Sequence, residues 1–128
     1  MKQIKAAVAL ACEYVANGSN GKQVLVNVYT GETLVRAFPA RVPMAFYIEV
    51  IPDADMPREL KFEVFQNKQR IAELIAEFEY EAGKIVLIPI PQLPLDLKEE
   101  TTMRVVASCE GFRSTTLLSK RILVGHVP

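Results

Sequence analysis

The sequence is poor in the residues that most often carry enzyme and metal chemistry. It contains one histidine, two cysteines and no tryptophan. Zinc-type metal sites draw on several His and Cys ligands, and disulfide-framework folds need several cysteine pairs. The composition therefore excludes most multi-histidine metal centres and any fold held together by a disulfide framework.

A surplus of charge is also missing. Fifteen Lys and Arg residues balance fifteen Asp and Glu residues, so the formal net charge at pH 7 is zero. Proteins that bind nucleic acid or anionic membranes through a positive field carry an excess of basic residues. We therefore expect neither a nucleic-acid partner nor a membrane partner. No apolar run approaches the roughly 20 residues that span a bilayer.

The first twelve residues resemble an export signal only in part. Two lysines precede the apolar run Ala6–Ala11, and Cys12 follows as in a lipoprotein cleavage site. The run has six residues, whereas the apolar core of a signal peptide needs about 7–15. The same segment alternates as a strand does, with apolar residues at 6, 8, 10, 12 and 14. We therefore expect a cytoplasmic protein, with an exported lipoprotein anchored at Cys12 as the alternative.

The two cysteines lie on the apolar sides of predicted strands. Cys12 shares its side with Leu10, and Cys109 shares its side with Val105 and Ala107. In a reducing compartment such cysteines behave as small buried hydrophobic residues. We expect two buried free thiols rather than a disulfide.

Alternating hydrophobic residues and frequent turn signals are present throughout. Asn17–Gly21 contains two Asn-Gly dipeptides, which favour tight hairpins, and it precedes the alternating run Val24, Val26 and Val28. Met44–Ile51 is β-rich on both sides, which indicates a central strand. About eight such segments and no firm helix predict an all-β, two-layer antiparallel sandwich. The length of 128 residues suits a single domain over 1–128.

Residues 70–82 are ambiguous between strand and helix. Ile71, Leu74, Ile75 and Phe78 have helical spacing, but strict alternation also runs through the segment. On a helix, the glutamates at 73, 77 and 81 would repel one another at successive i,i+4 positions. We predict a strand over Arg70–Ala82, with a helix as the alternative.

Two proline-rich stretches constrain the strand order. Phe38–Pro43 is expected to run along an edge or to cross between sheets. Ile85–Ile90 is a β-rich run, and the prolines at 89, 91 and 94 forbid a central strand beyond it. We predict that Leu93–Lys98 is a connection rather than a strand.

The order of these segments resembles a family of small bacterial and phage domains of unknown function. The resemblance is carried by Ala9-Leu10-Ala11-Cys12-Glu13, a Gly-bearing turn, a valine-rich strand, Phe38-Pro39-Ala40 with Pro43, and the later segments Leu60–Gln66, Asn67-Lys68, Arg70–Glu81, Lys84–Pro94 and Thr101–Gly111. Glu13 stands where the family usually has Asp. The resemblance implies an immunoglobulin-like or C2-like β-sandwich, and it implies no activity.

No catalytic constellation is evident in the sequence. The one imidazole, His126, is the third residue from the end of the given sequence, where a frayed tail is the usual state. No glycine-rich phosphate loop occurs. We expect a non-enzyme that needs no cofactor.

Three aspartates are candidate calcium ligands. Asp53 and Asp55 share the loop Pro52–Pro57, and Asp96 stands near Glu99 and Glu100. Calcium takes six to eight oxygen ligands, so a site would exist only if both acidic loops shared one end of the sandwich. Solvated acidic loops are the alternative.

One segment of the sequence concentrates four glutamates into a single row. Glu73, Glu77, Glu79 and Glu81 would project from one face of the predicted strand. Such a row suits docking of a basic partner. It also suits a solvated face whose charge discourages aggregation.

The sequence therefore predicts a non-enzymatic interaction or scaffold module. It would bind another protein, or a second copy of itself, through a sheet face or edge. A structural component of a phage particle or similar assembly is one alternative. A sandwich that binds calcium or a small ligand is another.

Overall fold

Strands account for nearly all the regular structure. The computed structural model describes residues 2–125 and holds eleven strands with one short 3-10 turn at Ser19–Gly21. Within those residues, no helix has the length and apolar character needed to cross a membrane. The strands are β1 Lys2–Gln3, β2 Lys5–Asn17, β3 Gln23–Val28, β4 Thr33–Val35, β5 Ala40–Ile51, β6 Glu59–Gln66, β7 Gln69–Glu77, β8 Val86–Leu97, β9 Thr101–Ser108, β10 Phe112–Arg113 and β11 Thr115–Val124.

The strands form two main sheets. One has the order β3-β2-β5-β8, the other has the order β4-β11-β9-β6-β7, and β1 pairs with β10 separately. The pairs β1–β10 and β4–β11 are parallel, and all other pairs are antiparallel. The predicted all-β sandwich is confirmed. It has more strands than predicted because β1, β4 and β10 span only two or three residues, too few for alternation to be visible.

The hydrophobic core lies between the inner faces of the two sheets. Phe46 and Ile48 from β5 are buried with Phe62 from β6, Val105 from β9 and Ile122 from β11. The predicted central strand is the second half of β5, which has β2 on one side and β8 on the other. The predicted burial on both faces is wrong, because Phe46, Ile48 and Val50 are buried in the core whereas Tyr47 and Glu49 on the outer face are partly exposed.

The ambiguous segment is an extended edge strand. β7 covers Gln69–Glu77 and pairs with β6, so the strand prediction holds for that part and the helical alternative is wrong. Its side chains Ala72, Leu74 and Ala76 pack against the core. Residues 78–82 lie beyond the end of the strand, which is shorter than predicted.

The prolines do not end the strand that contains them. β8 continues from Val86 to Leu97, so the prediction of a connection over Leu93–Lys98 is wrong. β8 is an edge strand that pairs only with β5, and an edge strand tolerates residues without an N–H. The first part of β5, Ala40–Met44, pairs only with β8, which fits the expected edge position of the first proline-rich stretch.

A buried lysine holds the crossover between the sheets. The chain passes from β3 in one sheet to β4 in the other through residues 29–32. Lys120 of β11 is buried, and its Nζ donates hydrogen bonds to the main-chain oxygens of Tyr29 at 2.6 Å and Gly31 at 2.8 Å. This side chain therefore ties the crossover to the interior of the five-stranded sheet.

Candidate interaction surface

The hairpin of β2 and β3 builds the surface of interest. Its turn begins where the Gly18 N–H donates to the Lys22 carbonyl oxygen at 2.8 Å. Asn20 and Gly21 adopt positive φ, as the Asn-Gly signal predicts. The register places Tyr14 opposite Val26 and Ala16 opposite Val24. Directly opposed residues point to the same face of a sheet, so these side chains share one face.

A bulge near the start of β2 decides which face that is. Ala6 pairs with Val50, but Val8 pairs with Glu49, so the register shifts by one residue between them. A one-residue shift moves every following side chain to the other face. Beyond the bulge, Ala9 and Ala11 point to the core, and the larger residues from Val8 to Tyr14 alternate outward.

The result is an apolar patch on the outside of the four-stranded sheet. Its five large side chains are 37–52% exposed. None of them is charged at neutral pH, and monomeric proteins rarely expose contiguous apolar patches larger than a few hundred Å² without a functional reason. We call this the outer patch, and it comprises Leu10, Tyr14, Val24, Val26 and Val28.

Two small residues form the floor of the outer patch. Cys12 and Ala45 oppose each other, are almost fully buried, and lie outside the cluster that forms the core. The Cys12 thiol lies 3.4 Å from the Tyr14 carbonyl oxygen and 3.7 Å from that of Ala45. Burial raises the pKa of the Cys12 thiol, so it stays protonated at neutral pH.

The other cysteine is less enclosed. Cys109 follows the end of β9, is partly buried, and forms no disulfide. Burial raises the pKa of its thiol as well. The predicted pair of free thiols is confirmed, although only Cys12 is fully buried.

The difference in exposure predicts a difference in thiol labelling. In the folded protein we expect a water-soluble aromatic disulfide reagent to label Cys109 slowly and to leave Cys12 unmodified. Unfolding in urea should make both thiols reactive at similar rates, which provides the control. Labelling followed by peptide mass spectrometry measures both sites. Fast labelling of Cys12 in the folded protein would show that the side chains of the outer patch do not shield its thiol from the reagent.

The segment before Cys12 is part of the folded sheet. Ile4 and Ala11 are buried in the core, and β2 begins at Lys5. Lipoprotein cleavage before Cys12 would therefore remove core residues and the first half of β2.

A groove borders the outer patch on the side of β8. Tyr14, Ala45, Pro91 and Gln92 are among the residues that line its volume of about 380 Å³. The Gln92 Nε2 donates to the Glu13 carbonyl oxygen at 2.6 Å and so bridges β8 to β2. The half-exposed Tyr14 ring thus stands between the valines of β3 and an open groove.

The outside of the five-stranded sheet has the opposite character. On it, Arg70 lies 3.1 Å from Glu63 and 2.8 Å from Glu73, and Lys61 lies 3.7 Å from Glu73. The Arg104 guanidinium lies over the Phe65 ring, 5.2 Å from its centre. Charged and polar side chains normally cover the solvated face of an antiparallel sheet. The four-stranded sheet departs from that rule.

The predicted row of glutamates is divided by the end of β7. Glu73 and Glu77 lie in the strand, whereas Glu79 and Glu81 lie beyond it. Glu73 pairs with Arg70 and Lys61, Glu79 pairs with Arg58, and Glu81 pairs with Lys84 at 2.7 Å. Glu77 is the one member without an ion pair to residues 2–125. The four acids therefore do not form one uncompensated negative surface.

The candidate calcium ligands lie far apart. Asp53 and Asp55 follow the last residue of β5, whereas Asp96 pairs with Arg41 near its start. The extended strand from Arg41 to Ile51 separates these points by roughly 33 Å. No group of three His, Cys, Asp or Glu residues able to hold a metal occurs within residues 2–125. The structure does not bring the two acidic loops together.

Two of these aspartates have cationic partners instead. The Lys2 ammonium lies 2.9 Å from the Asp55 carboxylate, and the Arg41 Nε lies 2.9 Å from that of Asp96. These hydrogen bonds lower the pKa of both carboxyl groups. Because the pairs are exposed, they contribute little to stability. The remaining residue considered for chemistry, His126, lies outside the described residues.

Sequence reasoning did not identify the outer patch. The alternation in β2 and β3 was visible, but it does not say which side faces the core when both sides are apolar. Comparisons with protein-family models, with curated proteins and with solved structures find no match to this chain. The function is therefore argued from the geometry of residues 2–125.

Proposed function

We propose that this chain is a non-enzymatic interaction module that binds another protein through the outer patch. The observation that carries the proposal is the contrast between the two outer faces. One carries the ion pairs of Arg70 as well as the exposed Ile75 and Leu34, whereas the other exposes the five large uncharged side chains Leu10, Tyr14, Val24, Val26 and Val28. Binding that buries this exposed apolar surface is favourable because it removes the surface from water.

The patch favours a partner with an uncharged apolar contact surface. Interface centres are depleted in charge and enriched in aromatic residues, and tyrosine is a frequent hot spot. Tyr14 occupies the position of such an anchor, because it stands between the β3 valines and the groove beside Gln92. Binding of this kind depends on burial rather than charge, so added salt should change the affinity little.

Other features of the described chain support binding over catalysis. Both thiols have raised pKa values, which makes them poor nucleophiles at neutral pH. Asp55 and Asp96 are engaged with cations at opposite ends of β5. The two free thiols also support a reducing compartment, and we place the module in the cytoplasm.

Substitution of Tyr14 by lysine tests the proposal. Proteins captured from native lysate on immobilised wild-type chain are identified, and the most enriched one is purified and titrated by calorimetry. Tyr14→Lys should weaken its binding by about 30-fold or more, as expected for loss of an interface hot spot. Wild-type affinity should be nearly the same in low and high salt.

Ile75→Lys is the matched control. Ile75 is 53% exposed, as Tyr14 is 52% exposed, but it lies on the charged sheet. It should leave the affinity unchanged. Equal binding by wild type and Tyr14→Lys, or binding that collapses in salt, would reject the outer patch as the binding surface.

A further inference from the structure

Within residues 2–125, three of the four edges of the two main sheets are protected against pairing with another chain. β8 carries prolines at 89, 91 and 94, β7 carries Arg70, Glu73 and Glu77, and β4 has only three residues. Proline, charge and short length are the devices by which proteins prevent unwanted strand addition. An edge without such protection is able to pair with a strand of another chain.

The fourth edge, β3, has none of these three devices. Gln23–Val28 contains no charged residue and no proline, and four of its six residues are Val or Leu. Within residues 2–125 it pairs with β2 alone. Asn27 adopts a positive φ of 51°, so the regular stretch of the edge is Gln23–Val26.

The hairpin geometry fixes which backbone groups of β3 are open. The Gly18 N–H bonds to the Lys22 carbonyl oxygen, and hydrogen-bonded pairs alternate along an antiparallel ladder. Val24 and Val26 therefore direct their N–H and C=O groups to β2. Gln23 and Leu25 direct theirs to the open edge. An added strand must bond to these two residues.

We propose that β3 pairs with β3 of a second copy of this chain, antiparallel and centred on Leu25. Each Leu25 then exchanges two main-chain hydrogen bonds with its symmetry mate. Val24 lies opposite Val26 of the copy on the outer face, in a non-hydrogen-bonded pair where side chains are closest. A centre at Val26 would require Leu25 to bond to Asn27 of the copy, and the positive φ of Asn27 takes that residue out of the regular edge.

The second copy fits this edge by charge and by symmetry. A second β3 places valine opposite valine and brings no like charges together across the edge. The net charge of zero adds no repulsion between copies. In the part of the chain that the structure describes, β3 is the one edge of the two main sheets without such protection, so the pairing closes as a two-fold dimer. The dimer has one eight-stranded sheet with both outer patches on the same face, and it does not depend on the proposed function.

Charge substitutions at the two valines test the pairing and its register. Wild type should sediment at twice the chain mass of 14.3 kDa over the micromolar range. Val24→Lys with Val26→Lys places like charges opposite each other twice and should give the monomer mass. Val24→Lys with Val26→Glu places opposite charges there and should restore the dimer in low salt, with dissociation as salt is added.

Two single variants separate this dimer from other assemblies. Ile75→Lys, on the edge strand of the other sheet, and Tyr14→Lys, on the face rather than the edge, should both remain dimeric. A monomeric wild type would overturn the proposal, as would a dimer that survives Val24→Lys with Val26→Lys. A dimer lost in Tyr14→Lys would point to face-to-face stacking instead. Thermal unfolding of each variant establishes that the monomers are folded.

Discussion

Phe46→Ala is expected to lower the free energy of unfolding by about 3–5 kcal/mol. Phe46 is fully buried near the middle of β5 and packs between the two sheets with Phe62 and Val105. Truncation removes the hydrophobic contribution of the ring and leaves a cavity. The surrounding strands are held by ladders on both sides, so they have little freedom to collapse into the space.

Urea unfolding followed by circular dichroism measures this loss. Phe65→Ala is the control, because Phe65 lies on the outer face of the neighbouring sheet, half-buried beneath Arg104. It should cost about 1 kcal/mol or less, since an exposed site leaves no closed cavity. A cost for Phe46→Ala below that of Phe65→Ala would contradict the assignment of the core.

Lys120→Glu is expected to destabilise the fold by about 3–5 kcal/mol. The wild-type ammonium donates to the carbonyl oxygens of Tyr29 and Gly31. A carboxylate at this buried position has no proton to donate and faces two oxygen acceptors. The crossover between β3 and β4 would lose its attachment to β11. The same urea unfolding measurement reports the effect.

Lys120→Met distinguishes the contribution of the buried alkyl chain to stability from that of the ammonium group. Methionine keeps most of the buried volume but donates no hydrogen bond, so its cost should be about 1–2 kcal/mol at neutral pH. A cost for Lys120→Glu no larger than that for Lys120→Met would show that the position is more open to water than the structure indicates.

The difference in stability between wild type and Lys120→Met should depend on pH in a predictable direction. Burial lowers the pKa of Lys120 from its ordinary value of 10.5. The folded chain thus binds fewer protons than the unfolded chain between the folded pKa and 10.5, and folding becomes more favourable as pH rises through that range. The stability of wild type relative to Lys120→Met should therefore increase from pH 7 toward pH 10.5. A decrease would mean that the charged form is the better accommodated one.

The strands of this fold were largely predictable from local pattern. Val24, Val26 and Val28 identified β3, and the Asn-Gly turns placed the hairpin before it. The β-rich run Met44–Ile51 identified the central strand, which has β2 on one side and β8 on the other although only its inner face is fully buried. Local pattern does not reveal pairs such as β1 with β10, which join residues at the two ends of the chain.

The candidate site was not predictable, for a specific physical reason. Alternation in β2 gave the correct period, but the bulge between Ala6 and Val8 reversed the face on which the larger residues lie. A bulge depends on how the partner strand pairs, and nothing in the sequence of β2 marks it. The same limit applies to Asp53 and Asp96, since the length of β5 decides that they lie at opposite ends.

The pairing of β1 with β10 also has a consequence for synthesis of the chain. Lys2 lies beside Phe112 and Gln3 lies beside Arg113. A ribosome releases Lys2 and Gln3 before their partners Phe112 and Arg113, which are separated from them by most of the fold. The first strand must therefore wait as an unpaired segment, and the pairing of β1 with β10 can close only after Arg113 has been translated.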